Sequence, residues 1–436
     1  MLQVVGILVL LVGLLISIGL HEMGHMIPAK KFGVRVSQYF VGFGPTLWSK
    51  QGKETEYGIK AIPLGGYVKL VGMIPPEEAV RPLKVKGRIA ELIGDSRAAS
   101  TEEVLPGEDY RAFYHLAWWK KVIVMFGGPF VNLILALLLF SAVLVGIGTP
   151  TATLTVNETV QCVPAVGSAQ CEPGDPLSPA AAAGLEPGDQ ITAIDGLAVT
   201  EWPELTEYVA AHPGDTMPLE VIRDGQTETL TVTPTPRERA VTDADGAVVL
   251  DDAGAIETET VGYLGVAPEV ENVPQGIGAG AALTWDYLGK TFNVVFHLPQ
   301  NLYHVTLATL GQEDRSTESV IGVVGVGRIA SDVASADVEG YGLTEKIADM
   351  LMLLGGLNLA LFVFNMIPLV PLDGGHIASA IWQAIKNGWA RVRSLPKPRP
   401  VDVARMMPLA YGVFGLLLVM GVILIVADIV APVSIV

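Results

Sequence analysis

LLISIGLHEMGHMIPAKKFG, residues 14–33, ends an uncharged run from Met1 to Leu20 with His21, Glu22 and His25 in quick succession. About 20 apolar residues cross a bilayer core, so the run reaches membrane length just before its first ionisable group. Ionisable groups within or at the end of such a segment are costly and by default functional. Three more apolar runs follow, at Val122–Gly148, about Ile347–Leu369 and about Met407–Val430. With 50% hydrophobic and only 17% charged residues, the chain reads as a polytopic α-helical membrane protein with four transmembrane helices. The first run lacks the basic start and Ala-x-Ala site of a signal peptide. A weaker stretch, Ile277–Leu310, reads as amphipathic and lying on a surface.

Charge between the runs sets the expected orientation. Lys and Arg number 15 from Met26 to Lys121, 7 from Gly148 to Ile347 and 6 from Leu372 to Arg405. Basic loops stay in the cytoplasm, so the first and third segments are expected inside. The middle segment carries 30 Asp and Glu, a net charge of −23, and is expected outside with both termini. The acidic balance argues against nucleic acid as a partner. Only two cysteines occur, Cys162 and Cys171 in that outer loop, as a short-loop disulfide or as two unlinked thiols. The resulting segments are 1–27 (first span, with the His-Glu-x-x-His motif), 28–117 (cytoplasmic, membrane-associated), 118–148 (second span), 149–275 (outer domain), 276–346 (outer amphipathic segment), 347–376 (third span), 377–405 (cytoplasmic loop) and 406–436 (fourth span).

On a helix, residues four apart share a face, so His21 and His25 can offer two nitrogens to one ion while Glu22 sits one step around. Zinc brings the pKa of water to about 7, and a nearby carboxylate can take its proton and hand it to a leaving amine. That is the chemistry of peptide hydrolysis. The motif alone lacks a third ligand. Pro28 and Lys31 stand where a metzincin has Gly and His, which excludes that arrangement. Glu54 or Glu56 downstream would suit a soluble-type protease. The third span offers Asp373 instead, in FNMIPLVPLDGGHI, with Pro368, Pro371, Gly374 and Gly375 breaking the helix around it. Spans one and three run in the same direction, so His21, His25 and Asp373 are expected at one depth, near the cytoplasmic face. His376 reads as a polar residue at a helix start.

HEMGH in the first span, together with NMIPLVPLDGGH in the third, resembles the site-2 protease family of intramembrane zinc metalloproteases. VGFGPTLWS and TEYGIKAIPLGGYVKL resemble that family's membrane-associated β-hairpin region, MFGGPFVNLILA its second span, and GVVGVGRIA the segment preceding its third. The resemblance implies Zn2+ as cofactor, His21, His25 and Asp373 as ligands, Glu22 as base and Asn365 as a substrate-orienting amide. It further implies single-span membrane substrates of the anti-sigma-factor type, first cut by a site-1-type protease, in a bacterial plasma membrane. One departure stands out: the family's further Asn falls here on Ala360, and Asn358 lies seven residues before Asn365.

Between the first two spans, the runs YGIKAI and GYVKL, with turn residues at Pro63, Gly65 and Gly66, suggest strands. An exposed edge there, around Gly65, Gly66 and Tyr67, would bind an extended substrate by strand addition. In the outer domain, LSPAAAAGLEPGDQITAIDGLAV, PELTEYVAAH and MPLEVIRDGQTETLTVTP have the order of an α/β PDZ-like domain, with a hairpin at Asp224-Gly225. VGYLGVAPE, carrying Tyr263, Leu264 and Gly265, resembles the carboxylate-binding strand entry of PDZ domains, placed last as in a circular permutation. Thr235–Thr260 reads as a mobile insertion. Such a domain could filter bulky substrates, capture a new C-terminus or serve as scaffolding. The rivals to an intramembrane endopeptidase are a non-enzymatic PDZ scaffold and a membrane-anchored protease acting on soluble peptides.

Overall fold

A computed structural model describes residues 2–82, 86–163, 175–242, 248–249, 255–313, 315, 319–338 and 340–433. The chain divides into two compact units, residues 1–147 with 276–436, and residues 148–275.

The first unit opens with α1 (Leu2–Lys31), which carries the apolar run straight through the His-Glu-x-x-His motif and past Pro28. Two long strands follow, β1 (Val36–Gln51) and β2 (Glu56–Leu70). Their register is doubled: residues 38–41 pair both with 56–59 and with 66–69, whereas 46–51 pair with 56–60. The hairpin therefore folds into a small sheet with the order 46–51, 56–60, 36–41, 66–70, which leaves 66–70 as an edge. The expected break at Pro63–Gly66 is a bend inside one strand, made possible at Gly65 by its φ of 111°, and not the turn of a separate hairpin.

Next come α2 (Arg88–Glu102) and α3 (Trp118–Ser141), the latter continuing as a π-helical turn to Ile147. The sequence offers no role for the charged stretch around α2; the structure gives it a packing one. Arg97 is buried and donates to both oxygens of Asp402 at 3.0 Å, and Asp402 also accepts from Arg405 at 2.9 Å. These bonds tie α2 to the start of the last helix.

The second unit is built from β3 (Thr149–Thr159), α4 (Pro179–Ala182), β4 (Gln190–Ile194), β5 (Leu197–Ala198), α5 (Trp202–Ala211), β6 (Met217–Arg223), β7 (Gln226–Val232), β8 (Thr235–Ala240), β9 (Thr258–Tyr263) and β10 (Val266–Val273). Its main sheet has the order β10-β3-β4-β6-β7, with β5 beside β4. The β6–β7 turn has positive φ at both Asp224 and Gly225, the two-residue hairpin geometry that this dipeptide favours. Ile191, Ile194, Leu205, Leu219 and Val221 form its core. Ser178 caps α4 by accepting the Ala181 amide at 3.1 Å. The expected mobile insertion begins and ends in paired strands, β8 with β9; residues 243–247 and 250–254 lie outside the described set. Cys162 is disulfide-bonded, and Cys171 lies outside the described residues.

The chain then returns to the first unit with α6 (Ala279–Phe296), α7 (Leu298–Thr309), α8 (Val323–Ser335), α9 (Leu343–Asn365), α10 (Asp373–Val392) and α11 (Met407–Val430). α1, α3 with its extension, α9, and α11 with the short turn before it are long and apolar enough to cross a membrane. The stretch expected on a surface is a helical pair packed on these candidate spans. Tyr287 of α6 lies against Phe140 of α3 at 5.5 Å, and Val305 of α7 is buried with Leu424 and Ala427 of α11. The segment expected as a cytoplasmic loop contains a 20-residue helix, α10. Its apolar residues are periodic and not continuous, so it carries no long apolar run.

Candidate metal centre

The centre is assembled from α1, α3 and the start of α10. His21 and His25, one turn apart on α1, bring their Nε2 atoms to 3.2 Å. Asp373 Oδ2 lies 3.4 Å from His21 Nε2 and 3.3 Å from His25 Nε2. A tetrahedral ion with bonds of about 2.0–2.1 Å separates its ligands by about 3.3–3.4 Å, so the three atoms stand as three corners around one zinc-sized position.

The histidines are held with their lone pairs toward that position. His25 Nδ1 lies 2.8 Å from the Val124 carbonyl and His21 Nδ1 lies 2.6 Å from Asn132 Oδ1. Both partners accept, so a neutral ring at either position carries its proton on Nδ1 and turns the Nε2 lone pair toward the site. Three electron-rich atoms converging in a buried site favour a cation between them.

The helix breaks ahead of Asp373, across Pro368 and Pro371, as the sequence suggests, but Asp373 and the two glycines after it are helical. α9 stops at Asn365, a tight turn follows, and Asp373 is the first residue of α10, with Gly374 and Gly375 inside that helix's first turn. A β-carbon on Gly374 would sit 2.3 Å from the Ile367 carbonyl oxygen, so the turn closes only over glycine. Likewise, a β-carbon on Gly128 would sit 2.2 Å from His25 Nε2. The GGP sequence of α3 thus leaves room for the imidazoles.

Glu22, next to His21 on α1, faces the sheet edge formed by residues 66–70. Gly66 is so close that a β-carbon there would lie 3.3 Å from Glu22 Cγ. Tyr67 stacks on Phe40 with ring centroids 5.6 Å apart. Asn365 is half-buried at the end of α9. Glu54 is taken up by Arg111 at 2.8 and 2.9 Å and Glu56 by Gln38 at 3.1 Å. Among the described residues, His21, His25 and Asp373 form the one cluster with metal-ligand spacing; Glu54, Glu56 and His376 stand outside it.

Asn132 and Gly128 are the residues that sequence reasoning missed. A signal was present, since Asn132 is the lone amide in the apolar run of α3, where an unpaired amide is costly. Tyr263, Leu264 and Gly265, in the other unit, line a cavity of about 460 Å³ together with Trp202, Leu205 and Val209 of α5. Arg237 stands over the Tyr263 ring at 5.1 Å.

Two helix-borne imidazoles, a carboxylate one residue after the first and a third donor group at Asp373 have the pattern of a zinc metallopeptidase centre within a helical bundle. The chain belongs to peptidase family M50, whose pattern matches residues 9–395. It is 33% identical over 442 residues to the zinc metalloprotease Rip1 of Mycobacterium tuberculosis, covering 99% of both chains. Rip1 of Mycolicibacterium smegmatis is 31% identical over 99% of this chain and 98% of its own. The metalloprotease MmpA of Caulobacter vibrioides is 27% identical over 87% of this chain and 88% of its own. The protein is therefore a zinc-dependent membrane metalloprotease of the site-2 type, and the non-enzymatic scaffold falls away.

Proposed function

We propose that this protein is an intramembrane endopeptidase that uses His21, His25 and Asp373 as zinc ligands and Glu22 as general base. Its substrates would be single-span membrane proteins of the anti-sigma-factor type, already trimmed by a site-1-type protease, and the product a cytoplasmic signalling fragment. The observation that carries the ligand assignment is the 3.2–3.4 Å triangle of donor atoms. Zinc, when bound, supplies a Lewis acid that polarises the scissile carbonyl and makes water nucleophilic near neutral pH.

The remaining work falls to the protein. Glu22 takes the proton from the attacking water and returns it to the leaving amine. A substrate helix hides its carbonyls in its own hydrogen bonds, so it must be drawn out before attack. The edge at 66–70 supports such a step: Val71 donates inward to Arg35, so by alternation residues 66 and 68 present their backbone groups outward, with Gly66 beside Glu22. A substrate strand would pair there, at Gly65, Gly66 and Tyr67, with the Asn365 amide orienting it. We read residues 149–275 as a PDZ-like domain on the outer side, where both termini also lie, with the cavity at Tyr263, Leu264 and Gly265 as its peptide site. The charge distribution supports this orientation in a bacterial plasma membrane.

Co-expression with tagged single-span membrane proteins tests this reading. Glu22→Gln is expected to retain zinc yet lose cleavage by about 100- to 10,000-fold, and Asp373→Ala to lose zinc as well. Full zinc occupancy and activity in Asp373→Ala would refute the ligand set.

A further inference from the structure

We propose that Asn132 is a positioning residue that holds His21 in its metal-ligating tautomer, and that Asn358 acts one step behind it by fixing which way the Asn132 amide faces. This inference rests on His21 being a ligand.

An amide presents an accepting oxygen on one side and a donating nitrogen on the other, so its effect on a neighbouring imidazole depends on its orientation. With Oδ1 toward His21 Nδ1, at 2.6 Å, Asn132 draws the ring proton to Nδ1 and leaves Nε2 bare. Turned over, it would offer N–H to Nδ1 and put the proton on Nε2, where the lone pair is needed. The far side of Asn132 resists that turn. Its Nδ2 donates to Asn358 Oδ1 at 3.1 Å.

Asn358 is itself oriented from behind. Its Nδ2 donates to the Leu354 carbonyl at 2.8 Å and to Ser17 Oγ at 3.0 Å, and the Ser17 hydroxyl donates to the Gly13 carbonyl at 3.0 Å. Backbone carbonyls can only accept, so the direction of the whole chain is set at Leu354 and Gly13 and is read out at His21. Asn132 and Asn358 are 0% exposed and Ser17 3%, which leaves little room for water to satisfy a flipped amide. The relay joins α1, α3 and α9, three of the candidate spans. It also gives Asn358 a role inside the bundle, distinct from that of an amide facing substrate.

Zinc affinity of the full-length protein in lipid nanodiscs, by competition with a chromophoric chelator, tests the relay without any substrate, alongside the visible spectrum of the cobalt-loaded protein. Asn132→Leu is expected to weaken zinc binding about 10- to 100-fold and to alter the cobalt bands. Asn358→Leu is expected to weaken it less, because Asn132 can then face either way. Asn132→Asp keeps an accepting oxygen toward His21 but sets its second oxygen against Asn358 Oδ1, so it should bind zinc less tightly than the wild type yet more tightly than Asn132→Leu. Wild-type affinity in a folded Asn132→Leu protein would overturn the proposal. So would an Asn132→Asp protein as weak as Asn132→Leu, a comparison that holds even if the leucine variant folds poorly. Wild-type affinity in His21→Ala would instead bring down the ligand assignment, and the relay with it.

Discussion

The metal centre and the 149–275 unit are built at opposite ranges of sequence. Hydrogen bonds around the centre join residues 111, 226 and 341 positions apart. In the other unit the β6–β7 hairpin turns on two adjacent residues, Asp224 and Gly225. Local chemistry is enough to specify such a turn. A buried polar cluster inside apolar helices is specified only when several helices have packed, because each polar group needs a partner that its own helix does not supply. Damage to the centre should therefore spread through the bundle's metal chemistry, while damage to the other unit should stay local.

The sharpest way to break this contrast is at Gly128. Gly128→Val would drive carbon into the space of His25 Nε2. It is expected to remove zinc and with it all cleavage, read by metal analysis of the purified protein. Next is the ion pair between Arg315 and Asp428 of α11, side chains 3% and 1% exposed, in which Asp428 also accepts the Gly325 amide at 2.7 Å. Arg315→Met leaves that carboxylate buried without its cation, an expected loss of about 3–5 kcal/mol in unfolding measured in detergent.

Leu219→Ala probes the other side of the comparison. Leu219 is fully buried in the core of the second unit, and truncation should cost that unit about 2–5 kcal/mol. Zinc content should be unchanged; a parallel loss of zinc would end the claim of independence. The smallest effect expected is a pH dependence at Asp189. Arg223 donates to it at 2.6 and 2.7 Å, and these bonds hold its carboxyl below the usual range, helped by the Glu186 amide. Because the folded value lies below the unfolded value of about 3.9, the pairing stabilises the unit above that pH. The contribution is lost as pH falls through the folded value. Limited proteolysis of the full chain between pH 7 and 3 should show the unit opening at the acid end, with a flatter profile for Asp189→Asn.

Much of this is legible in the amino-acid sequence. Length of apolar run marked the four candidate spans, and the i, i+4 spacing of His21 and His25 marked a metal face, because both are properties of a single helix. In the second unit, α4, β4, α5 and the β6–β7 hairpin followed from turn residues and alternation in the same way, whereas β3 and the paired β8 and β9 did not. α10 was missed because an amphipathic helix has no continuous apolar run. The doubled pairing of β1 and β2 was missed because a strand that folds across itself looks, residue by residue, like two separate ones.

The amino-acid sequence by itself determined the membrane character, the catalytic class suggested by HEMGH and the residues able to serve as ligands. Only the tertiary structure decided that Asp373 opens a helix beside the two imidazoles while Glu54 and Glu56 pair elsewhere. It likewise decided that Asn132 and Val124 face the two Nδ1 atoms. The physical reason is range: one helix fixes which side chains share a face, but which lone pairs converge on a point depends on how separate helices pack.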